Sequence, residues 1–200
     1  MVSTNASTTC RALHKSMNMS TKKAIGVFCA ASETIDSIYS DAAREFGHWM
    51  GENGHTLVYG GASKGLMETT AAAVTDAGGK VVGVVPDILV SRNCVSTLLD
   101  EQITVANLSE RKDTILDRSD ILVALPGGVG TLDEVFHVMA AATIGYHSKQ
   151  VVFYNVNGFW NSLLALLDEY NRGGFLRGNA YDRFAIADNL DQLKKIISEK

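Results

Sequence analysis

Two prolines and three cysteines in 200 residues, and no long run of one charge, exclude several classes before any motif is read. Scarce proline leaves long helices and strands uninterrupted. The cysteines, Cys10, Cys29 and Cys94, are far apart, odd in number and form no C-x-x-C pair. That argues against a disulfide scaffold and against a structural zinc site. Cys29 ends the apolar run 24–29 and reads as a small buried hydrophobe. His48, His55 and His147 show no ligand spacing, so no metal is expected. No apolar run approaches the roughly 20 residues that cross a bilayer. The Ser-, Thr- and Asn-rich start of the chain lacks the apolar centre of a secretory signal. Residues 1–22 are expected to form a disordered N-terminal extension, 23–200 a single domain, and the protein to be cytoplasmic. Eighteen basic against 22 acidic side chains give a net charge of −4. Neither a nucleic-acid footprint nor a membrane-binding basic patch is present, so any anion must be held by local donors.

What is there is glycine, 18 residues of it, in a chain that is 46% hydrophobic. Short β-branched apolar runs alternate with helical patterns. The strands are expected at 24–29, 56–59, 80–85, 120–125, 150–155 and 184–187, with a short extended piece near 102–105. Helices are expected at 36–53, 64–77, from Ser109 onward, from Thr131 through Met139, at 159–171 and at 190–198. This alternation predicts an α/β fold: a Rossmann-like, doubly wound parallel sheet covered by helices on both faces, with ligands at the carboxyl ends of its strands.

One segment carries chemistry. Strand 120–125 runs into Pro126-Gly127-Gly128-Val129-Gly130-Thr131-Leu132-Asp133-Glu134. Free N–H groups at a helix start attract phosphate, and glycines let the anion approach. A second reading stays open, because Thr131 and Glu134 have the spacing of a capping box that needs no ligand. The loop fits neither the Walker A nor the dinucleotide pattern, and Gly60-Gly61-Ala62-Ser63-Lys64-Gly65 also misses Walker A spacing. Ser109-Glu110-Arg111-Lys112 places two cations at a helix start, unfavourable for the helix dipole unless an anion is near. Asp133 reads as favourable first-turn charge on another face. His137, one turn beyond Glu134, either touches the site or is a packed helix histidine.

Taken together, Gly60-Gly61, Gly65-Leu66-Met67, Gly83-Val84-Val85-Pro86, Glu110-Arg111-Lys112 and the 126–134 loop resemble the "Lonely Guy" family over residues 23–177. Its members are cytokinin riboside 5′-monophosphate phosphoribohydrolases, once labelled lysine decarboxylases. The resemblance implies a Rossmann-like homodimer without organic cofactor or nucleic-acid partner. It implies hydrolysis of a purine nucleoside monophosphate to base and ribose 5-phosphate. It places catalysis on Arg111 and Glu134. Substrate binding would fall to Lys112, to Gly127, Gly128, Val129, Gly130 and Thr131, and to Gly60, Gly61 and Met67. The chain departs from the family at Ala62, Glu68, Ala30-Ala31-Ser32, Thr97 and Ala140-Ala141, around the pocket rather than in the phosphate and ribose machinery. Two rivals are weighed. A carrier of a phosphorylated pterin such as molybdenum cofactor would need the loop but no ribose-facing carboxylate. A lysine decarboxylase would need a Schiff-base lysine, and no pattern around Lys64, Lys80, Lys112 or Lys149 supplies one.

Overall fold

The computed structural model describes residues 22–200, so nearly all of the expected N-terminal extension lies outside it. The first half of the chain alternates β1 (Ala24–Phe28), α1 (Ser37–Glu52), β2 (Thr56–Tyr59), α2 (Gly65–Asp76), β3 (Lys80–Pro86), α3 (Asp87–Ser91) and β4 (Glu101–Val105). The second half adds α4 (Leu108–Asp117), β5 (Ile121–Ala124), α5 (Val129–Thr143), β6 (Val151–Tyr154), α6 (Asn161–Arg172), β7 (Phe184–Ala187) and α7 (Leu190–Ser198).

All seven strands pair in parallel, in the order β4-β3-β2-β1-β5-β6-β7. The central strands β1, β5 and β6 are apolar on both faces because both are covered, whereas the edge strand β4 is polar and largely exposed. One core joins alternate residues of the sheet, such as Ile25, Val27 and Leu57, to Phe46 and Met50 of α1, Leu66 and Val74 of α2 and Leu193 of α7. The other joins Phe28, Leu122 and Phe153 to Ile115 of α4, Val135 and Val138 of α5 and Leu167 of α6.

The chain winds outward from β1 through β2, β3 and β4, then returns to the other side of β1 with β5. The crevice at such a reversal is where open α/β sheets hold ligands. Here Ala30 N–H donates to Pro126 O at 3.1 Å and Leu66 N–H to Ala30 O at 2.9 Å. These bonds tie the loop after β1 to the loop after β5 and to the start of α2.

Several expectations need correction. The stretch after β3 begins with a short helix, α3, which the sequence pattern did not signal. Ser109 does not cap α4; Asn107 does, accepting from the N–H of Ser109 and Glu110 at 2.9 and 3.0 Å. Helix α5 starts before Thr131. Its N-cap is Gly128, with no side-chain cap bond, so Thr131 and Glu134 form no capping box.

Candidate active site

The first ladder bond of α5 runs from Leu132 N–H to Gly128 O at 3.0 Å. The N–H groups of Val129, Gly130 and Thr131 precede it and point out of the helix start, as an anion seat requires. The glycines of this loop differ in purpose. A methyl group on Gly127 would overlap Thr131 Oγ1, so Gly127 makes room for the buried threonine. A methyl group on Gly128 or Gly130 would meet nothing within 4 Å. Neither has the left-handed backbone that favours glycine. Crowding and backbone therefore explain neither residue, and both line a cleft of about 340 Å³.

One wall of that cleft is α5, with Gly128, Gly130, Thr131, Asp133 and Glu134. A second is α4, with Leu108, Arg111 and Lys112. The end of β1, its loop and Met67 of α2 complete it through Val27, Cys29, Ala30, Ala31 and Ser32. The sequence-derived residues Arg111, Glu134, Lys112, Met67, Gly128, Gly130 and Thr131 are thus brought together. Four others are not in the lining. Gly127 lies behind Thr131, Val129 points to solvent with 84% of its surface exposed, and Gly60 and Gly61 lie behind Arg111 and against β3.

Three successive residues of α4 reach α5. Arg111 Nη2 lies 3.8 Å from Glu134 Oε1, and the two side chains are only 13% and 12% exposed. Lys112 Nζ donates to both carboxylate oxygens of Asp133, at 2.8 and 3.0 Å. Asp113 pairs with His137 Nε2 at 2.8 Å. Asp133 is therefore the partner of Lys112; because α5 begins at Val129, it stands beyond the first turn and is not the first-turn charge expected from the sequence, and His137 is engaged outside the cleft. The two cations at the start of α4 answer acids on α5, and the open helix start beside them supplies the remaining pull for an anion.

Glu134 is the group most altered by its surroundings. Burial pushes its carboxyl up to about 7 from an ordinary 4.5; Arg111 opposes the rise, Asp133 adds to it and Lys112 opposes it. Desolvation thus outweighs the neighbouring guanidinium, which at 3.8 Å makes an ion pair without a hydrogen bond. Arg111 Nε is buried with no hydrogen-bond partner among the described residues. A buried guanidinium with unused donors, facing a carboxyl poised near neutrality, marks a reactive site better than a structural ion pair.

Reading the sequence alone gave no site role to Val27, Cys29, Leu108 or Asp133, and noted Ala30, Ala31 and Ser32 only as departures from the family around the pocket. Cys29 is buried as expected, yet its thiol lies at the cleft floor, pushed up first by burial and then by the Glu134 charge. No local pattern separates such a cysteine from a core one. Among the described residues no helix is long and apolar enough to cross a membrane, and no cluster of His, Cys, Asp and Glu is placed to hold a metal.

Comparison with known proteins adds the following. A family model described as "Possible lysine decarboxylase" matches residues 67–197. The cytokinin riboside 5′-monophosphate phosphoribohydrolase LOG3 of Arabidopsis thaliana is 37% identical over 185 residues, 92% of this chain and 86% of that protein. LOG4 of the same plant is 39% identical over 175 residues, 88% of this chain and 81% of that protein. Among solved structures, the molybdenum cofactor binding protein of Rippkaea orientalis superposes with a TM-score of 0.68 at 22% identity, covering 89% of this chain and 96% of that one. The Moco carrier protein of Chlamydomonas reinhardtii does so with a TM-score of 0.68 at 23% identity, covering 89% and 96%. At that identity the structural likeness shows the fold alone.

Proposed function

Because the chain belongs to the family whose model is described as possible lysine decarboxylase, and which includes the cytokinin riboside 5′-monophosphate phosphoribohydrolases, we propose that it is a nucleoside 5′-monophosphate phosphoribohydrolase. It hydrolyses the N-glycosidic bond of a purine nucleotide, cytokinin-type or AMP-like, to free base and ribose 5-phosphate. The observation that carries this reading is the buried Arg111–Glu134 pair beside an open helix start.

In this mechanism the phosphate rests on the N–H groups at the start of α5, within reach of Lys112. Glu134 sits one turn farther along, where a carboxylate would be repelled by phosphate but suits the ribose. As the base departs with the bonding electrons, positive charge builds on the sugar, and the Glu134 carboxylate stabilises it. Water adds to the anomeric carbon, its oxygen becoming the new hydroxyl of ribose 5-phosphate, and the proton it gives up ends on the departed base. Arg111 favours the charged form of Glu134 against burial and offers a planar fork of donors to the sugar phosphate. Neither metal nor organic cofactor enters the proposed reaction. A decarboxylase would need a free amine in the cleft, and the lysine that lines it, Lys112, is engaged by Asp133. A carrier would have no use for a desolvated carboxylate held against a guanidinium.

The deciding experiment is incubation with AMP, adenosine and a panel of nucleoside monophosphates, with free base as the readout. AMP-like nucleotides are expected to release base and adenosine is not. Equal turnover of adenosine would remove phosphate recognition, and no release from any monophosphate would favour the carrier.

The loop itself can be tested separately. Gly130 lies inside the first turn of α5 with room for a methyl group and no left-handed backbone, a setting where alanine is better by about 0.4–1 kcal/mol. Gly130→Ala is expected to raise the melting temperature and to weaken ribose 5-phosphate binding measured by calorimetry. Undiminished binding would argue that the ligand does not approach this turn.

We further propose a homodimer, or a multiple of one, in the cytoplasm. Helix α5 buries Val135, Val138 and Met139 but exposes Phe136, and Ile144 and Tyr146 follow it into solvent. This apolar surface is more than one core-facing stripe needs. Light scattering at micromolar concentration should give at least twice the chain mass; a monomer would count against it.

A further inference from the structure

The two glycines that follow β2 are glycines for different reasons. Gly61 has a φ of +69°, in the left-handed region that favours glycine. Gly60 does not share that backbone, so a left-handed conformation is not what calls for glycine there. What Gly60 lacks is room. A methyl group there would overlap Arg111 Nη2, and it would lie 2.5 Å from Arg111 Cζ and 2.7 Å from Met67 Cε. The Met67 contact is with the free end of a flexible thioether and can yield. The guanidinium cannot yield without leaving its position.

That position depends on shape more than on bonds. Arg111 Nε has no hydrogen-bond partner among the described residues, and Nη2 is 3.8 Å from Glu134 Oε1, beyond hydrogen-bond length. Packing therefore fixes where the guanidinium sits, and the surface of Gly60 is part of that packing. We propose that Gly60 is a positioning residue, whose missing side chain is the space in which Arg111 reaches the Glu134 carboxylate. The turn after β2 thus serves a side chain of this protein, where sequence reasoning gave it to the substrate.

The consequence for turnover rests on the proposed hydrolysis. Displacing the guanidinium removes the principal opposition to the buried carboxyl's rise. The charged groups that remain around Glu134 are Lys112, already engaged by Asp133, and Asp133 itself, with the Cys29 thiol beneath. Misplacing a catalytic group by an ångström costs on the order of 100-fold in rate.

A double-substitution cycle tests the assignment, with Gly60→Ala, Arg111→Ala and the pair together. Gly60→Ala alone is expected to lower kcat about 100-fold, to move the acid limb of the pH–rate profile upward, and to lower the melting temperature. In the Arg111→Ala protein the space is vacant, so adding Gly60→Ala should change neither melting nor residual rate. If Gly60→Ala lowers the melting temperature equally in both backgrounds, the residue serves the turn and the assignment is overturned. It is also overturned if Gly60→Ala behaves as the parent protein. Should Gly60→Ala fail to fold, recovery of the fold on adding Arg111→Ala supports the assignment and continued failure refutes it. The melting cycle decides even if no nucleoside monophosphate is ever turned over, so its failure and that of the proposed reaction are told apart.

Discussion

Glu134→Gln is expected to abolish base release and, at the same time, to make the protein harder to melt. Glutamine keeps the size of the side chain but supplies no charge to a developing oxocarbenium ion. Loss of a preorganised charge at a reacting centre costs about 100-fold or more. The effect on stability has a definite sign. Burial raises the Glu134 carboxyl from 4.5 to about 7, so between those values the folded protein binds a proton that the unfolded chain has released. Stability therefore falls as pH rises through that interval and levels off above it. Below pH 4.5 the carboxyl is protonated in both states, and the penalty is absent. A difference of about 2.5 pH units, at about 1.4 kcal/mol each, puts the full penalty at roughly 3–4 kcal/mol as an order of magnitude. Glutamine never carries it. Melting at pH 5 and pH 8 should show a small gain at the lower pH and a larger one at the higher, with turnover lost at both. A variant that turns over normally would make Glu134 a packing residue. One that melts lower at pH 8 would mean the carboxylate is stabilised, not desolvated, in its pocket.

Arg111→Ala is expected to lose a similar factor at neutral pH, but for a different reason and with a different pH dependence. Arg111 is the first opposing influence on the Glu134 carboxyl. Without it the carboxyl rises further above 7, and at neutral pH the charge needed in the transition state is largely missing. Rate should therefore recover in part as the solution is made alkaline, and the acid limb should move upward relative to the parent. Phosphate affinity measures the second role. If Arg111 also reaches the phosphate, ribose 5-phosphate binds more weakly; if it serves Glu134 alone, binding survives and only kcat falls. A profile whose acid limb stays in place would separate Arg111 from Glu134 and dissolve the pair.

Much of this was legible in the sequence because it is local. Strands β2, β7 and helix α7 begin and end where apolar runs meet Gly, Asn or a change of period. Helix α1 starts just after Asp36, its N-cap, whose side chain accepts from Ile38 N–H at 3.0 Å. The short α3 was not legible, since none of its residues is buried and no apolar stripe exists to signal it. The cap of α4 was misplaced onto Ser109 because Asn107 and Ser109 are both good caps, and only the chain path decides between them. The capping-box spacing at Thr131 and Glu134 left a second reading open for a similar reason. The helix had already begun at Gly128, where glycine leaves no side chain to announce it. Lys112 with Asp133, and Gly60 with Arg111, are contacts between distant segments, and no periodicity encodes them. The motif identified Arg111 and Glu134; the separation, burial and missing hydrogen bonds that make them interesting are properties of the folded chain.

The open turn at Gly128 and Gly130 also bears on how such a chain would drift over generations. Gly130, like the charge on Glu134, is a point where the fold would be sturdier with something else. Were the need for turnover to lapse, a population still screened for heat resistance would accumulate Gly130→Ala and Glu134→Gln early, because both changes raise stability and neither disturbs the core. A lineage that retains the sheet, both hydrophobic layers and Arg111, yet carries a side chain in that turn, would then be recognisable as one that kept the scaffold and abandoned the reaction.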